Sequence, residues 1–291
     1  MSKIPPKRRG GGRLQCRPEN RCWQSPRRRR HKLSNTISAF DAIASAYDSQ
    51  FTATTLGAAM RRAVWARCAV RFASGSRVLE MNCGTGEDAL WLAHRGVKVL
   101  ATDVSPAMLQ VAENKLAASP RNGSARFQRL AWEELDSFDE GPFDGVLSNF
   151  GGLNCVHDLR GCARTLAAKL RPGAAAVICI MGPAVPWEWV WFLARGNPTA
   201  AFRRLRRDGA QWSGVAIHYP SVAKTCRAFA PEFRLLRRSA LGVLLPPPYT
   251  EKWIGRFPRV IAALDRIERR VETWWPLPML ADHYLLEFER V

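Results

Sequence analysis

The chain has no Cys-x-x-Cys pair among its eight cysteines, no apolar stretch long enough to cross a bilayer and no internal repeat. The first absence argues against a zinc site or a disulfide framework. Buried free thiols in a reducing cytoplasm are expected instead, so the chain is read as cytoplasmic. The longest apolar run, Ala174 to Met181 with its flanks, is soon broken by Pro183, Pro186 and Glu188, and no integral membrane segment is expected. Acid is scarce as well: 25 Asp and Glu stand against 44 Lys and Arg, a net charge of +19. Residues 1–36 hold twelve of those bases and one acid, Glu19, and so contribute +11. A basic, Pro/Gly-rich segment so poor in apolar residues does not offset its ordering entropy, and 1–36 is read as a disordered tail. Arg27–Arg30 suit a nucleic-acid or anionic-lipid contact, or a localisation signal; an extension without a role is the plainer reading. No apolar h-region follows, so neither a general secretory nor a twin-arginine signal is predicted.

What remains is a chain of 291 residues, 47% hydrophobic and 24% charged, enough for one domain with a full core. Helical periodicity begins near Thr36, with Ile37, Phe40, Ile43, Ala44 and Tyr47 on one face, and a second helix covers roughly 55–73. Strands are then predicted at 77–81, 97–102, 126–129, 143–148 and 175–181, with helices at 87–95, 106–118 and 157–170. Arg171-Pro172-Gly173 forms a sharp turn before the fifth strand. Such alternation specifies an α/β fold: a mainly parallel, doubly wound, Rossmann-like sheet with helices on both faces. The pattern lapses at about 182–220 and 241–279, around a short helix at 221–229, a strand at 233–240 and a final strand at 283–289. Residues 37–291 are therefore read as one domain with two insertions that cap a substrate.

The richest stretch is 78–103. Val78-Leu79-Glu80-Met81-Asn82-Cys83-Gly84-Thr85-Gly86-Glu87-Asp88 gives an apolar strand, a Gly-turn and a helix start. One helix later comes Val99-Leu100-Ala101-Thr102-Asp103, a strand tipped by an acid. Such a βαβ unit offers a nucleoside a backbone-lined crevice. Gly84 to Ala89 formally fits the dinucleotide pattern G-x-G-x-x-A, but Glu87 and Asp88 would repel a diphosphate at that helix N-terminus. A cationic, phosphate-free ligand, S-adenosylmethionine, suits a carboxylate-rich turn better. A dinucleotide enzyme and a non-catalytic nucleotide-binding module remain as alternatives.

These residues resemble the class I S-adenosylmethionine-dependent methyltransferases, across about 37–291. The resemblance implies a seven-stranded sheet with an antiparallel last strand, and S-adenosylmethionine as cofactor. It places Glu80 at the ammonium end of the donor, Gly84 and Gly86 against the methionine portion, and Asp103 on both ribose hydroxyls. Asn82 stands where the family's first glycine is usual and must tolerate φ > 0, which Asn does best after Gly. Val104 and Met108 would pack on adenine, with ordinary core packing the alternative for Met108. Ala131 occupies the position of an adenine-binding acid, which leaves that recognition to the main chain near Trp132, or to Glu133. Asn149 and Phe150 would lie beside the sulfonium and the acceptor. The stretch Phe40–Asp48 resembles the N-terminal helix of quinone-biosynthesis and related small-molecule methyltransferases, whose tyrosine, here Tyr47, folds over the donor; helix packing is the alternative.

A base is required only if the acceptor is a hydroxyl or an acidic carbon; His157, His218 and Tyr219 are the candidates. His157-Asp158 also reads as a helix N-terminus capped by Asp158. Trp187, Trp189, Trp191, Phe192 and Phe202, beside Arg195, Arg203, Arg204, Arg206 and Arg207, suit a pocket for a small hydrophobic or anionic metabolite, or a peripheral contact with a membrane surface that holds a lipid-like acceptor. A cap with solvated arginines is the alternative. The Arg/Trp alternation also keeps RNA as an acceptor. No metal is expected.

Overall fold

The computed structural model describes residues 26–119 and 124–291, with side chains from Leu33 onward. Nine strands are described: β1 (Arg77–Met81), β2 (Lys98–Asp103), β3 (Ala125–Arg129), β4 (Phe143–Ser148), β5 (Leu170–Met181), β6 (Ala210–Trp212), β7 (Val215–Ile217), β8 (Phe233–Leu241) and β9 (His283–Arg290). The α-helices are α1 (Pro26–Asp41), α2 (Ala44–Tyr47), α3 (Thr55–Arg71), α4 (Glu87–His94), α5 (Pro106–Ala118), α6 (Leu159–Lys169), α7 (Pro186–Leu193), α8 (Pro198–Ala201), α9 (Val222–Phe229), α10 (Glu251–Ile254) and α11 (Pro258–Val271).

Seven strands pair in the order β3-β2-β1-β4-β5-β9-β8. β1 to β5 are parallel, and β9 runs antiparallel to both β5 and β8. The order reverses between β1 and β4, which opens a crevice beyond their C-terminal ends. Strand alternation divides the core into two layers. Leu79, Leu100, Val146, Ile178 and Leu286 face α6 and α9 on one side. Val78, Ala101, Leu147, Val177 and Leu285 face α3, α4 and α11 on the other. This is the expected doubly wound sheet covered on both faces.

Three boundaries differ from the sequence reading. Helix α1 starts at Pro26, ten residues before Thr36, so the last part of the basic segment 1–36 is helical; residues 1–25 lie outside the described residues. Proline suits a first helical position and arginine is a good helix former, which periodicity alone does not register. β5 begins at Leu170, because the Arg171-Pro172-Gly173 turn is absorbed as a register shift beside Phe143 and Gly145. The first insertion contains a two-stranded hairpin, β6–β7, too short to show in the pattern.

Polar anchors hold the outer elements in place. The Asp41 carboxylate accepts from Ser105 Oγ (2.5 Å) and from the Ala107 N–H (3.2 Å), fixing α1 to the start of α5. On its other side, Ala39 packs with Val215 and Ile217, and Phe40 meets Trp212 at 5.3 Å. The fully buried Glu268 of α11 accepts the N–H groups of Gly242, Val243, Leu244 and Leu245 at 2.7–3.1 Å. The two insertions touch: Trp187 Nε1 donates to the Val243 carbonyl (3.1 Å), and the Tyr249 ring packs on Trp191 and Phe192. No described helix is long and apolar enough to cross a membrane.

Because Asp41 is the polar link between α1 and α5, Asp41→Ala should lower unfolding stability by about 1–2 kcal/mol. It should also speed proteolysis within 26–41. Chemical denaturation with limited digestion measures both, and wild-type behaviour would show that α1 is held by its apolar face alone.

Candidate active site

The two strand tips at the switch point bring acids together. Glu80, at 1% exposure, is the penultimate residue of β1, and its Oε2 is buried without a hydrogen-bond partner. Burial, with Asp88 and Asp103 nearby, pushes its carboxyl well above the ordinary range, opposed by Arg61. Asp103 ends β2, where Oδ2 accepts the Gly84 N–H and Oδ1 the Ser105 N–H, each at 2.9 Å. Burial raises Asp103 too, against the pull of those bonds. A carboxylate has about four acceptor positions, so these backbone bonds do not use up its capacity to accept.

The glycine turn divides its labour. A Cβ on Gly84 (φ +54) would meet nothing within 4 Å, so this backbone borders open space. A Cβ on Gly86 (φ +76) would strike Ala112 and the Phe127 ring at 2.7–2.8 Å, so the missing side chain there makes room for α5 and β3. Asn82 adopts φ +53, as its glycine-like position requires. Its amide also ties the tips together: Nδ2 donates to the Asn149 carbonyl (3.0 Å), and Oδ1 accepts from Ser148 Oγ (2.7 Å).

Asn149 itself is committed. Its Nδ2 donates to Asp88 Oδ2 (2.9 Å), and its Oδ1 accepts the Phe150 N–H. Asp88 also pairs with the buried Arg61 (2.6 Å) and accepts from Trp65 Nε1 (2.6 Å). The Arg61 guanidinium lies 4.9 Å from the Phe150 ring centroid and 5.7 Å from that of Phe51. Phe150, at φ +46, faces Phe51 (4.8 Å), whose ring is 5.9 Å from Tyr47. Burial raises the Tyr47 phenol, so it stays protonated. The adjoining Asp48 accepts from Thr85 Oγ1 (2.7 Å) and pairs with Lys115 (2.6 Å). Against the cost of burial, those bonds hold its carboxyl below the ordinary range. This contact clamps the N-terminal helices over the glycine turn.

Met108 is buried at the head of α5, where its N–H donates to Ser105 Oγ (3.1 Å); Val104 is half-buried beside Asp103. The Trp132 indole packs against the core, and its N–H is buried without a partner. The main-chain N–H of Ala131 is taken by Glu134 (2.9 Å).

His157, His218 and Tyr219 do come together, beyond β7. The two imidazoles meet edge to face at 5.3 Å, and the Asn154 amide donates to the His218 carbonyl (2.6 Å). His157 is exposed, and Asp158 caps α6 through the Gly161 N–H (2.9 Å). The Tyr219 ring lies 5.2 Å from the Arg204 guanidinium. Arg204, 7% exposed, donates to both oxygens of Glu188, to the Gly182 and Asp282 carbonyls and to Asp282 Oδ1 (2.6 Å). Arg203 also pairs with Glu188 (2.6 Å), so two of the cap arginines are committed internally. The six described cysteines are free thiols; burial raises each, Cys155 and Cys179 to about 12. Among the described residues no group of three or more His, Cys, Asp or Glu is placed to hold a metal ion.

A methyltransferase-domain family model matches residues 78–173, from β1 to the start of β5. A demethylmenaquinone methyltransferase of Clavibacter sepedonicus is 35% identical over 157 residues, 53% of this chain and 62% of that protein. That of Thermobifida fusca is 33% identical over 217 residues, 72% of this chain and 86% of the relative. The chain belongs to the S-adenosylmethionine-dependent methyltransferases. An S-adenosylmethionine-dependent methyltransferase structure from Mesorhizobium loti shares the fold, with a TM-score of 0.54 at 22% identity, over 80% of this chain and 99% of that one. The chain spans 56–62% of the length of the first curated methyltransferases it matches.

The residues present fit the methyltransferase cofactor. An orphaned, buried carboxylate oxygen on Glu80 calls for a cationic partner, and the open side of Gly84 admits it. Asp103 keeps capacity to accept from vicinal hydroxyls. Arg61 and Asp88, absent from the family motif, set the charge beneath the crevice.

Glu80 is raised in the free protein, so it gains ionisation when a cation binds. Donor affinity should therefore fall as pH drops through the raised pKa, where binding must expel a proton. Calorimetry in two buffers of different ionisation enthalpy reads that proton. Glu80→Gln should abolish the release and weaken S-adenosylmethionine by about 1.5–3 kcal/mol, and Asp103→Ala by a similar amount. Unchanged affinity in both variants would place the ligand elsewhere.

Proposed function

We propose that this protein transfers the methyl group of S-adenosylmethionine to a lipid-like, quinone-derived acceptor in its hydroquinone state. The observation that carries the reading is the unpartnered Glu80 oxygen at the switch point, in a crevice whose buried acids outnumber its one buried cation, Arg61. Such a site favours a cationic nucleoside and disfavours a diphosphate. The cofactor supplies an electrophilic methyl group on a good leaving group; the protein supplies alignment and exclusion of water.

Glu80 and Asp103 would hold the two ends of the donor, with Gly84 admitting it between them. Tyr47, Phe51 and Phe150 would wall the reacting space from water. The acceptor class follows from chemistry and from the relatives. Demethylmenaquinone is the acceptor named for the Clavibacter and Thermobifida proteins. An oxidised quinone ring is electron-poor and makes a poor partner for an electrophilic methyl group; its two-electron-reduced form is electron-rich.

Such an acceptor sits in a membrane, and the second insertion presents a matching surface. Trp253 (67% exposed), Phe257 (56%) and Val260 (47%) project among the exposed Lys252, Arg256 and Arg259. The nearby acid Glu251 is turned inward onto the N–H groups of Thr55 and Leu56 (2.8 and 3.0 Å). Apolar side chains within a basic field suit an anionic lipid surface.

The test is transfer of labelled methyl to a prenylated naphthohydroquinone in anionic vesicles under a reductant. Label should enter the hydroquinone and not the oxidised quinone. Trp253→Ser with Phe257→Ser should lower kcat/KM about tenfold for vesicle-held acceptor while sparing detergent-dispersed acceptor. Label entering RNA, or transfer indifferent to the redox state, would contradict the proposal.

A further inference from the structure

Apart from the base candidates taken from the sequence, another histidine stands against Phe150, just beyond the end of β4. Strand β9 runs antiparallel, so its first residue lies at the same sheet edge as the last residues of its neighbours: His283 pairs with Met181 of β5 and Leu241 of β8. β5 adjoins β4, whose tip leads into Phe150, and the His283 ring meets the Phe150 ring edge-on at 5.6 Å. His283 is 7% exposed, and its Nδ1 lies 3.0 Å from Asp282 Oδ2.

We propose that His283, oriented by Asp282, is the base that receives the hydroxyl proton of the acceptor. The assignment rests on the hydroquinone reading above.

Asp282 is 3% exposed, and Arg204 holds its other oxygen at 2.6 Å. Arg204 and His283 outweigh burial and keep the Asp282 carboxyl far below the ordinary range. An ionised Asp282 accepts from Nδ1–H and so selects the tautomer whose lone pair is on Nε2; no hydrogen bond from a described residue occupies that nitrogen. The remaining charges around the ring are balanced in pairs. Arg204 is shared with Glu188 on the cap side, and Arg61, across Phe150, is paired with Asp88. With Nδ1 turned to Asp282, the ring offers Nε2 rather than Nδ1 to an acceptor hydroxyl.

In the step itself the acceptor O–H bond breaks, an Nε2–H bond forms, and the electron pair stays on oxygen. The resulting phenolate is the stronger nucleophile at oxygen and at the conjugated ring carbons, and the proton leaves to solvent after turnover. No oxidant or reductant is consumed. Arg204 makes the cap part of this device: the residue that anchors the first insertion also fixes the carboxylate that orients the base.

The experiment has a binding arm and a turnover arm. With the donor site filled by S-adenosylhomocysteine, 4-nitrophenol bound to the wild type should show phenolate absorbance at a pH where the free probe is protonated. His283→Gln should abolish that shift. In turnover with the naphthohydroquinone, His283→Gln should lower kcat about 10²–10⁴-fold at neutral pH, replace the acid limb of the pH profile by a rate proportional to hydroxide, and leave donor affinity intact. His283→Ala should be partly rescued by added imidazole. A His283→Gln protein that keeps the wild-type rate and profile, or a wild type that does not ionise the probe, overturns the assignment. A wild type that ionises the probe yet methylates no hydroquinone would sink the acceptor reading and leave the base in place.

Discussion

The structure of the site depends on an unbalanced burial of charge. Glu80 and Asp103, near the tips of adjacent strands, and Asp88, in the first turn of α4, are each at 9% exposure or less, and Arg61 is the one cation buried among them. Asp88 is satisfied by Arg61, Trp65 and Asn149, and Asp103 by backbone N–H groups, so the deficit falls on Glu80. A carboxylate left buried without partners costs several kcal/mol or takes up a proton. Either way the free protein is poised for a cation, in a chain whose overall charge is +19. Net charge and site charge have opposite sign, so composition alone does not report the charge of the site.

Around that deficit the other parts act as a frame. Asn82 ties β1 to β4, Asp48 and Lys115 clamp the N-terminal helices to the glycine turn, and Asp41 fixes α1 to α5. The insertions reach the same edge from the far side through Arg204, which joins Glu188 of the cap to Asp282 at the head of β9. The two sides meet at Phe150, which touches Phe51, Arg61 and His283.

Much of this was legible in the chain. The sheet, its order-reversing crevice and the acids at 80 and 103 follow from local patterns: strand periodicity, a glycine turn and an acid at a strand tip. Asn82 was legible for the same reason, since a required positive φ restricts the residue type. Interactions between distant segments were not. Asn149 looks free in sequence, yet its amide is spent on Asp88, 61 residues away. His283 looks like the first residue of an apolar strand, and nothing local announces Arg204, 78 residues before Asp282. Two adjacent polar residues heading a buried strand, Asp282-His283, were the one available signal. The start of α1 was missed because it rests on proline at the first helical position and on arginine's helix propensity, which apolar periodicity does not register.

The central claim concerns charge in the crevice, and a single comparison of ligands tests it. Binding of S-adenosylhomocysteine should be measured by calorimetry against its deaminated analogue, which keeps the adenosine, ribose and carboxylate but lacks the ammonium group. A carboxylate waiting for a cation predicts that deamination weakens binding at least tenfold and that the loss disappears in Glu80→Gln. Equal affinity for the two ligands, or a dinucleotide binding more tightly than either, would contradict it.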